Sequence, residues 1–582
     1  MSDENNEYFI LTSIGIEPQE TRYRLEKNIG EGSFSASALI NLLDNKPSKV
    51  LLLLTDGAKD KSFEKFKQEI DAQDVKIEIE TISIPDGENG EEIEKIVNTI
   101  LKSVPDDCDL TIDITQGLRH FPFLLFTSAL YLQTFKNIHI KNIYYGMKES
   151  STDEKPFVDI TLLLRMVDWF HAVRSFSEER RASQFVKMVK SFSDKMDKDN
   201  RLAQEAVKLV DKIDLFDEYY GTGMPLGLGD SSKSFCMQFA GKKDTVFGRG
   251  KDTPIPLARE LLDHVANSLE PLMIPRTVRT GGNWKTTYPL DMKEIYRQAG
   301  LVDDYFKSGH YVNAVRLMRE WMISRCILAR LGDGASWLNR DSRSPIERQL
   351  GSINWQKRND ILQDDKKDLA ALWDSIAKSR NNVAHTEMTE ENVDIKSEIN
   401  KIRGLWSDMK CRIESDDFWD PYTGGGGGKL LITPLGLSKG LLFSALRLTQ
   451  PDRLLIVTST DAAETIEEIV EVAGYEGQML KPILLKDPHT GFDEIKGVLD
   501  DLINDYARAF LDSDEIIINL TGGTTTLQVL TEGISKNAQM MGKDPRKVVI
   551  IDRREMSQQK ENPFVVGELI EYEDIFSSNG KR

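Results

Sequence analysis

Ile112-Asp113-Ile114-Thr115-Gln116-Gly117 and Ile518-Asn519-Leu520-Thr521-Gly522-Gly523 lie near opposite ends of a 582-residue chain and carry one pattern. Two further pairs keep the same order. Leu11-Thr12-Ser13-Ile14-Gly15 parallels Ile432-Thr433-Pro434-Leu435-Gly436, and Leu54-Thr55-Asp56-Gly57-Ala58 parallels Val457-Thr458-Ser459-Thr460-Asp461. Three loops repeated in register imply two diverged copies of one fold.

The strands around the loops fit that reading. The first copy offers Phe9–Leu11, Val50–Leu54, Leu110–Ile112 and Ile140–Tyr144, with helical stretches around 36–43, 63–70, 91–101 and 121–132. The second offers Leu430–Ile432, Leu454–Val457, Ile483–Leu485, Ile516–Ile518 and Val548–Ile551. Apolar strands alternating with helices predict doubly wound, mostly parallel sheets. The loops then fall at the carboxyl ends of strands, where open α/β sheets bind ligands. Gly117 and Gly522-Gly523 let the backbone approach closely, and the following helix offers free N–H groups to phosphate. Their side chains are Thr, Ser, Gln and Lys439, which suit a neutral base and a phosphodiester. Neither copy has a dinucleotide fingerprint or a P-loop, so ATP hydrolysis and phosphoryl transfer are not indicated.

Composition sets further bounds. The length exceeds one core and predicts three or four domains. The four cysteines are scattered, with neither disulfide nor zinc spacing, and the seven histidines do not cluster, so no metal site is expected. The acidic start Met1-Ser2-Asp3-Glu4 and the absence of a long apolar run predict a cytoplasmic protein without a membrane partner. The net charge of −19 disfavours broad binding to DNA or other nucleic acid, so any such work belongs in a local pocket.

The middle of the chain reads as helical, except for Gly221 to Thr287, whose glycine and polar content suggests an insertion or loop set. Tyr311, Ala314, Val315, Met318 and Met322 make one face. Ile395, Ile399, Ile402, Trp406, Met409 and Ile413 make another. Between them Leu369, Leu372, Trp373 and Ile376 form an apolar stripe, and Arg380 falls four residues on. A guanidinium on a buried stripe is costly unless it meets an anion. Asn381 and then His385 follow. A fixed cation beside a titratable imidazole supplies the parts for cleaving RNA without metal.

Taken together, the chain resembles the CARF–HEPN proteins that accompany type III CRISPR systems. Asp113-Ile114-Thr115-Gln116-Gly117-Leu118-Arg119 looks like the family's Asp-x-Thr-x-Gly-x-Arg signature, followed by Ile143-Tyr144-Tyr145-Gly146 and Asp159-Ile160-Thr161-Leu162. Arg380-Asn381 with His385 resembles the HEPN ribonuclease motif. The fold implied is multidomain, two Rossmann-like α/β (CARF) domains flanking a mainly α-helical HEPN domain. The expected boundaries are 1–165 for the first CARF domain, 166–290 for a helical linker or insertion, 291–422 for HEPN, 423–428 for a flexible glycine linker, and 429–582 for the second CARF-like domain.

The resemblance implies an endoribonuclease for antiviral defence, switched on by cyclic oligoadenylate as allosteric activator and cutting single-stranded RNA without a cofactor. Its catalytic residues would be Arg380, Asn381 and His385, and the single HEPN motif implies a homodimer. The ring would meet Gly15, Thr55, Asp56, Thr115, Gln116, Gly117 and Arg119 in the first copy. In the second it would meet Gly436, Ser438, Lys439, Ser459, Thr521, Gly522, Gly523 and Thr524. A carboxy-terminal CARF departs from the usual layout, and three roles are open to it: binding the activator, shaping the dimer, or cleaving the ring. The competing readings are a non-catalytic nucleotide sensor and a ring nuclease with a scaffold HEPN domain.

Overall fold

The computed structural model describes the chain apart from residues 1–6, 74–75, 195–200, 247–257, 275–282, 333–335, 385–391, 393 and 577–582. It divides into two compact units, residues 1–175 with 256–261, and residues 176–255 with 262–582.

The first unit is built on an eight-stranded sheet. Its strands are β1 (Tyr8–Ser13), β2 (Thr21–Leu25), β3 (Asn28–Gly32), β4 (Lys49–Leu54), β5 (Glu78–Ser83), β6 (Asp109–Asp113), β7 (His139–Gly146) and β8 (Lys155–Asp159). They run in the order β3-β2-β8-β7-β6-β1-β4-β5. The strands from β5 to β7 are parallel and β8 is antiparallel to β7. Helices α1 (Ser35–Leu42) and α2 (Asp56–Asp71) cover one face, and α3 (Gly90–Ser103) and α4 (Phe121–Lys136) the other. Along β1, Phe9 and Leu11 enter one core and Ile10 the other, which is why the central strands read as unbroken apolar runs. Strands β2, β3 and β5 escape that reading because they lie at or next to an edge of the sheet with mixed polar sequence, and β8, although internal, is short and equally mixed.

Among the described residues, eleven α-helices follow: α5 (Leu162–Glu179), α6 (Ser183–Asp194), α7 (Arg201–Thr222), α8 (Pro225–Val246), α9 (Ala258–Leu269), α10 (Met292–Lys307), α11 (Tyr311–Leu331), α12 (Arg340–Arg358), α13 (Lys367–Ala384), α14 (Ile395–Cys411) and α15 (Asp416–Trp419). Part of the stretch expected to be loops is therefore helix. The small residues of α8 serve close packing instead: a Cβ on Gly227 would sit 2.6 Å from the Tyr219 ring of α7. A buried network anchors the start of α8. Arg297 donates to both carboxylate oxygens of Glu294 at 2.7 Å and to the Pro225 and Leu272 carbonyls at 3.2 Å, while Tyr288 donates to Glu294 at 2.6 Å. Every charge in it is paired and hydrogen-bonded, as burial requires. Among the described residues, no helix is long and apolar enough to cross a membrane.

The second sheet contains β9 (Lys429–Leu435), β10 (Arg453–Ser459), β11 (Gln478–Met479), β12 (Ile483–Leu485), β13 (Glu515–Asn519), β14 (Arg546–Ile551) and β15 (Glu568–Glu571). Its order is β11-β10-β9-β13-β14-β15, with β12 also on β10. Helices α16 (Lys439–Thr449), α17 (Thr460–Ala463), α18 (Ile466–Ala473), α19 (Phe492–Asp512), α20 (Thr525–Met540) and α21 (Met556–Glu561) accompany it. As β1 lies between β4 and β6, so β9 lies between β10 and β13, and each sheet ends its parallel run against an antiparallel strand. The topology therefore repeats along with the loops.

The glycine run before β9 is not a free tether. The Asp514 carboxylate accepts from Gly426 N at 2.8 Å and Gly428 N at 3.0 Å, and the Asp512 carbonyl accepts from Gly427 N at 2.9 Å. These bonds hold the Asp514 carboxyl below its usual range. Gly428 has φ +67°, and a Cβ there would strike the Asp452 side chain. Gly428→Ala is expected to cost about 1–3 kcal/mol, the order of a strained left-handed residue with a contact to relieve. Chemical denaturation of the full chain checks this, and a flexible tether would show no change.

Candidate functional site

One hydrogen-bond device recurs at the strand ends. The Thr115 hydroxyl and amide both donate to Asp113 Oδ1, at 2.5 and 3.0 Å, and Gly146 N of β7 donates to the same hydroxyl at 2.7 Å. In the second sheet Thr521 donates to Asn519 Oδ1 from its hydroxyl at 2.8 Å and its amide at 3.1 Å, and Ile550 N of β14 donates back at 2.8 Å. Asp159 and Thr161 repeat it a third time, with Ile143 N as donor at 2.8 Å. The side chain closes a turn on its own backbone and staples the loop to the neighbouring strand. Thr115 and Thr521, expected to meet ligand directly, thus spend their hydroxyls on positioning the loops.

The two copies differ in charge beneath that staple. Asp113 is fully buried and also accepts from Ser35 at 2.7 Å and Thr12 at 3.2 Å. Burial raises its pKa, against the lowering effect of those hydrogen bonds. In the second copy the neutral Asn519 reverses one bond, donating to the Thr433 hydroxyl at 2.9 Å.

Around the first staple, Gly15 is half-buried with open space over its α-carbon, and Thr55 caps α2 at Ala58 N, 3.4 Å away. Asp56, Gly117 and Arg119 are exposed. Gln116 is buried, its amide donating to the Ser33 carbonyl at 3.4 Å while its Oε1 has no hydrogen-bond partner among the described residues. Its carbonyl accepts from Ser13 at 2.6 Å, tying the β1 and β6 loops together.

Around the second staple the loops enclose a cavity of about 580 Å³. Gly436, Ser438, Ser459, Thr521, Gly522, Gly523 and Thr524 all line it. Gly436 packs so closely on Gly523 that a Cβ would lie 2.6 Å from the Gly523 α-carbon. Lys439 does not join them. It lines an adjoining cavity of about 410 Å³ and is ion-paired with Glu468. The sequence reading missed Asp461, His489, Asp552 and Gln559, which also line the larger cavity. Asp552 was within reach of that reading, since it directly follows the strand expected at 548–551.

The helix-end motif sits differently from its expected place. The stripe of α13 buries Leu369, Leu372, Trp373 and Ile376 and continues through Ser379, so Arg380 and Asn381 are exposed. The drift of 3.6 residues per turn carries the position after Ser379 off the buried face. Arg380 makes no ion pair among the described residues, and His385 lies outside them. Asn382 donates to the buried Glu398 of α14 at 3.3 Å. Next to it a cleft of about 910 Å³ is lined by Asn382, Val383, Ile395, Ile399 and the start of α11, including His310 and Tyr311.

Residues 10–149 match the family model described as "CRISPR system endoribonuclease Csx1, CARF domain". A curated relative, CRISPR-associated protein MJ1674 of Methanocaldococcus jannaschii, is 23% identical over 118 residues, which is 20% of this chain and 18% of that protein. The chain thus spans less than a fifth of the relative's length in the alignment. Residues 10–149 carry a CARF domain, and the Rossmann-like sheet described above fits it.

The raised pKa of Asp113 has a sign that can be measured. The unfolded chain releases this proton first, so the contribution of Asp113 to stability falls as pH rises from the ordinary carboxylate range toward neutrality. Asp113→Asn removes that slope, as Asn519 does naturally. Amide exchange of the β6 segment is expected to lose more protection between pH 4 and pH 7 in the wild type than in Asp113→Asn.

Proposed function

We propose that the protein is a cyclic-oligoadenylate-activated, metal-independent endoribonuclease of type III CRISPR defence, acting on single-stranded RNA. The observation that carries this reading is the CARF match over residues 10–149, joined in the sequence to an Arg-Asn-x-x-x-His run whose Asn382 and Val383 line a large cleft.

The activator lies on the first copy's loops, over Gly15, Thr55, Asp56, Gln116, Gly117 and Arg119. The nuclease centre is formed when two chains bring their α13 ends together. The exposed apolar residues Phe123, Tyr131 and Phe135 of α4, and Leu162, Leu163, Met166 and Phe170 of α5, support a homodimer, because such stripes call for a covering partner.

In the paired site Arg380 holds the scissile phosphate and stabilises its developing charge. The ribose 2′-oxygen forms a bond to phosphorus, the bond to the 5′-oxygen breaks, and a proton passes from the 2′-hydroxyl to the 5′-oxygen. His385 serves this transfer as general acid or base, leaving a 2′,3′-cyclic phosphate end. Asn381 orients the imidazole or the phosphate.

His385→Ala is expected to lower cleavage of a fluorescent RNA by at least about a hundredfold, the lower range for general acid–base catalysis. Binding of cyclic oligoadenylate to the variant stays unchanged. Cleavage retained by purified His385→Ala overturns the assignment.

A further inference from the structure

We infer that the cleft at the end of α13 reads a base of the RNA, and that the Asn382 amide is the acceptor that favours the exocyclic amine of cytosine or adenine over the carbonyl of uracil. The inference rests on the nuclease reading for the identity of the ligand, single-stranded RNA. It adds which bases are chosen and which side chain chooses them.

The orientation of Asn382 is the observation that carries it. An asparagine amide has one donor end and one acceptor end, whereas an ion-paired carboxylate only accepts. Glu398 of α14 is buried, 8% exposed, and its Oε1 stands 3.7 Å from Lys401 Nζ. It therefore takes the donor end: Asn382 Nδ2 donates to Glu398 Oε2 at 3.3 Å. The reverse orientation would set two oxygens against each other in a buried contact. Glu398 Oε1 has no hydrogen-bond partner among the described residues, so no other donor competes to turn the carboxylate away. With Nδ2 committed, Oδ1 is left over. It accepts no hydrogen bond among the described residues, and Asn382 lines the cleft. The wall thus presents a fixed acceptor. Cytosine and adenine bring an amine to such a group, and uracil brings a carbonyl, which it repels.

The rest of the wall suits a base ring. Val312, Val383, Ile395 and Ile399 form its apolar part, with Val312 44% and Ile395 54% exposed. Tyr311 adds an aromatic ring. It is braced by Arg403, whose guanidinium lies 5.6 Å from the ring centroid and donates to the hydroxyl at 3.4 Å. Bases of every kind stack on such surfaces, so this part of the wall binds and Asn382 discriminates.

The charge at the cleft matches a polyanion. Arg403, like Arg380, forms no ion pair among the described residues. Asp394, the carboxylate beside Ile395, is spent on capping α14, where it accepts from Lys396 N at 3.1 Å. Asn382 stands about 3 Å beyond Arg380 along the axis of α13, so base and phosphate contacts belong to one short stretch of strand.

Two readouts on the full-length protein, with cyclic tetra- or hexa-adenylate present, test this. The first is binding, by fluorescence anisotropy, of labelled 2′-O-methyl oligocytidylate and oligouridylate, whose blocked 2′-oxygen prevents cleavage. Wild type is expected to bind the cytidylate about five- to tenfold more tightly, the range of one hydrogen bond. Asn382→Ala abolishes that preference by removing the acceptor, and Glu398→Gln abolishes it by letting the amide turn over. Tyr311→Ala weakens binding of both oligonucleotides about tenfold while keeping the preference, and Tyr311→Phe restores it. The second readout is the base composition at the cut ends of a random RNA pool, where wild type favours cytosine and adenine over uracil and Glu398→Gln does not. No binding, no preference in the wild type, or a preference that survives Asn382→Ala overturns the inference. A preference that survives Glu398→Gln alone overturns the role given to Glu398. Selective binding of cytidylate by a protein that cuts no RNA sinks the nuclease reading and keeps this one. Cleavage without base preference does the reverse.

Discussion

A threonine hydroxyl that donates to an acidic or amide side chain two residues earlier, and accepts from the next strand, sets the loop geometry at the carboxyl ends of strands in both sheets. Thr115 and Thr521 do this at equivalent points, and Thr161 does it where the antiparallel strand leaves the first sheet. The amides of Gly146 and Ile550 so engaged are near the ends of strands, where ladder partners run out, and a buried unpaired amide is expensive. The Asp-x-Thr pattern is therefore a folding constraint first. The cavity or surface above it inherits a fixed shape as a consequence.

This separates what the sequence makes visible from what it hides. Apolar runs such as Val50–Leu54 announce central strands because both faces are covered, and the matched loops announce the repeat. Edge strands such as Glu78–Ser83 are hidden, since one partner and mixed exposure leave no strong pattern. The helix Pro225–Val246 is hidden because its glycines and serines look like loop chemistry, although they serve a close approach to Tyr219. The glycine run at 424–428 has the composition of a linker, but Asp514 folds it into a clamp, and a local pattern does not reveal a partner almost ninety residues away.

The same limits apply at the candidate sites. The residues of the second cavity were legible because they sit in loops whose position follows from topology. Lys439 was not, because its choice between the cavity and Glu468 depends on where α18 lies. For Arg380, spacing from Ile376 placed it on a buried stripe, but the stripe had already drifted to Ser379.

Exposure alters the argument for Arg380 without removing it. A buried guanidinium would have needed an anion to fold at all, so its presence would have said little about RNA. Arg380 stands before the last turn of α13, which carries no basic residue, so the helix dipole does little for it. Exposure explains why the position tolerates a charge, but not why it pairs with no described carboxylate in a protein of net charge −19, where carboxylates outnumber cations. Its neighbours show the contrast: on the same helix Lys378 is paired with Asp374, and Arg358 of α12 reaches the same carboxylate. Arg380 has no such partner among the described residues, and Asn382 and Val383, two and three residues further along, line a cleft of about 910 Å³. An exposed arginine without an ion-pair partner among the described residues is a local exception to the prevailing charge of this chain.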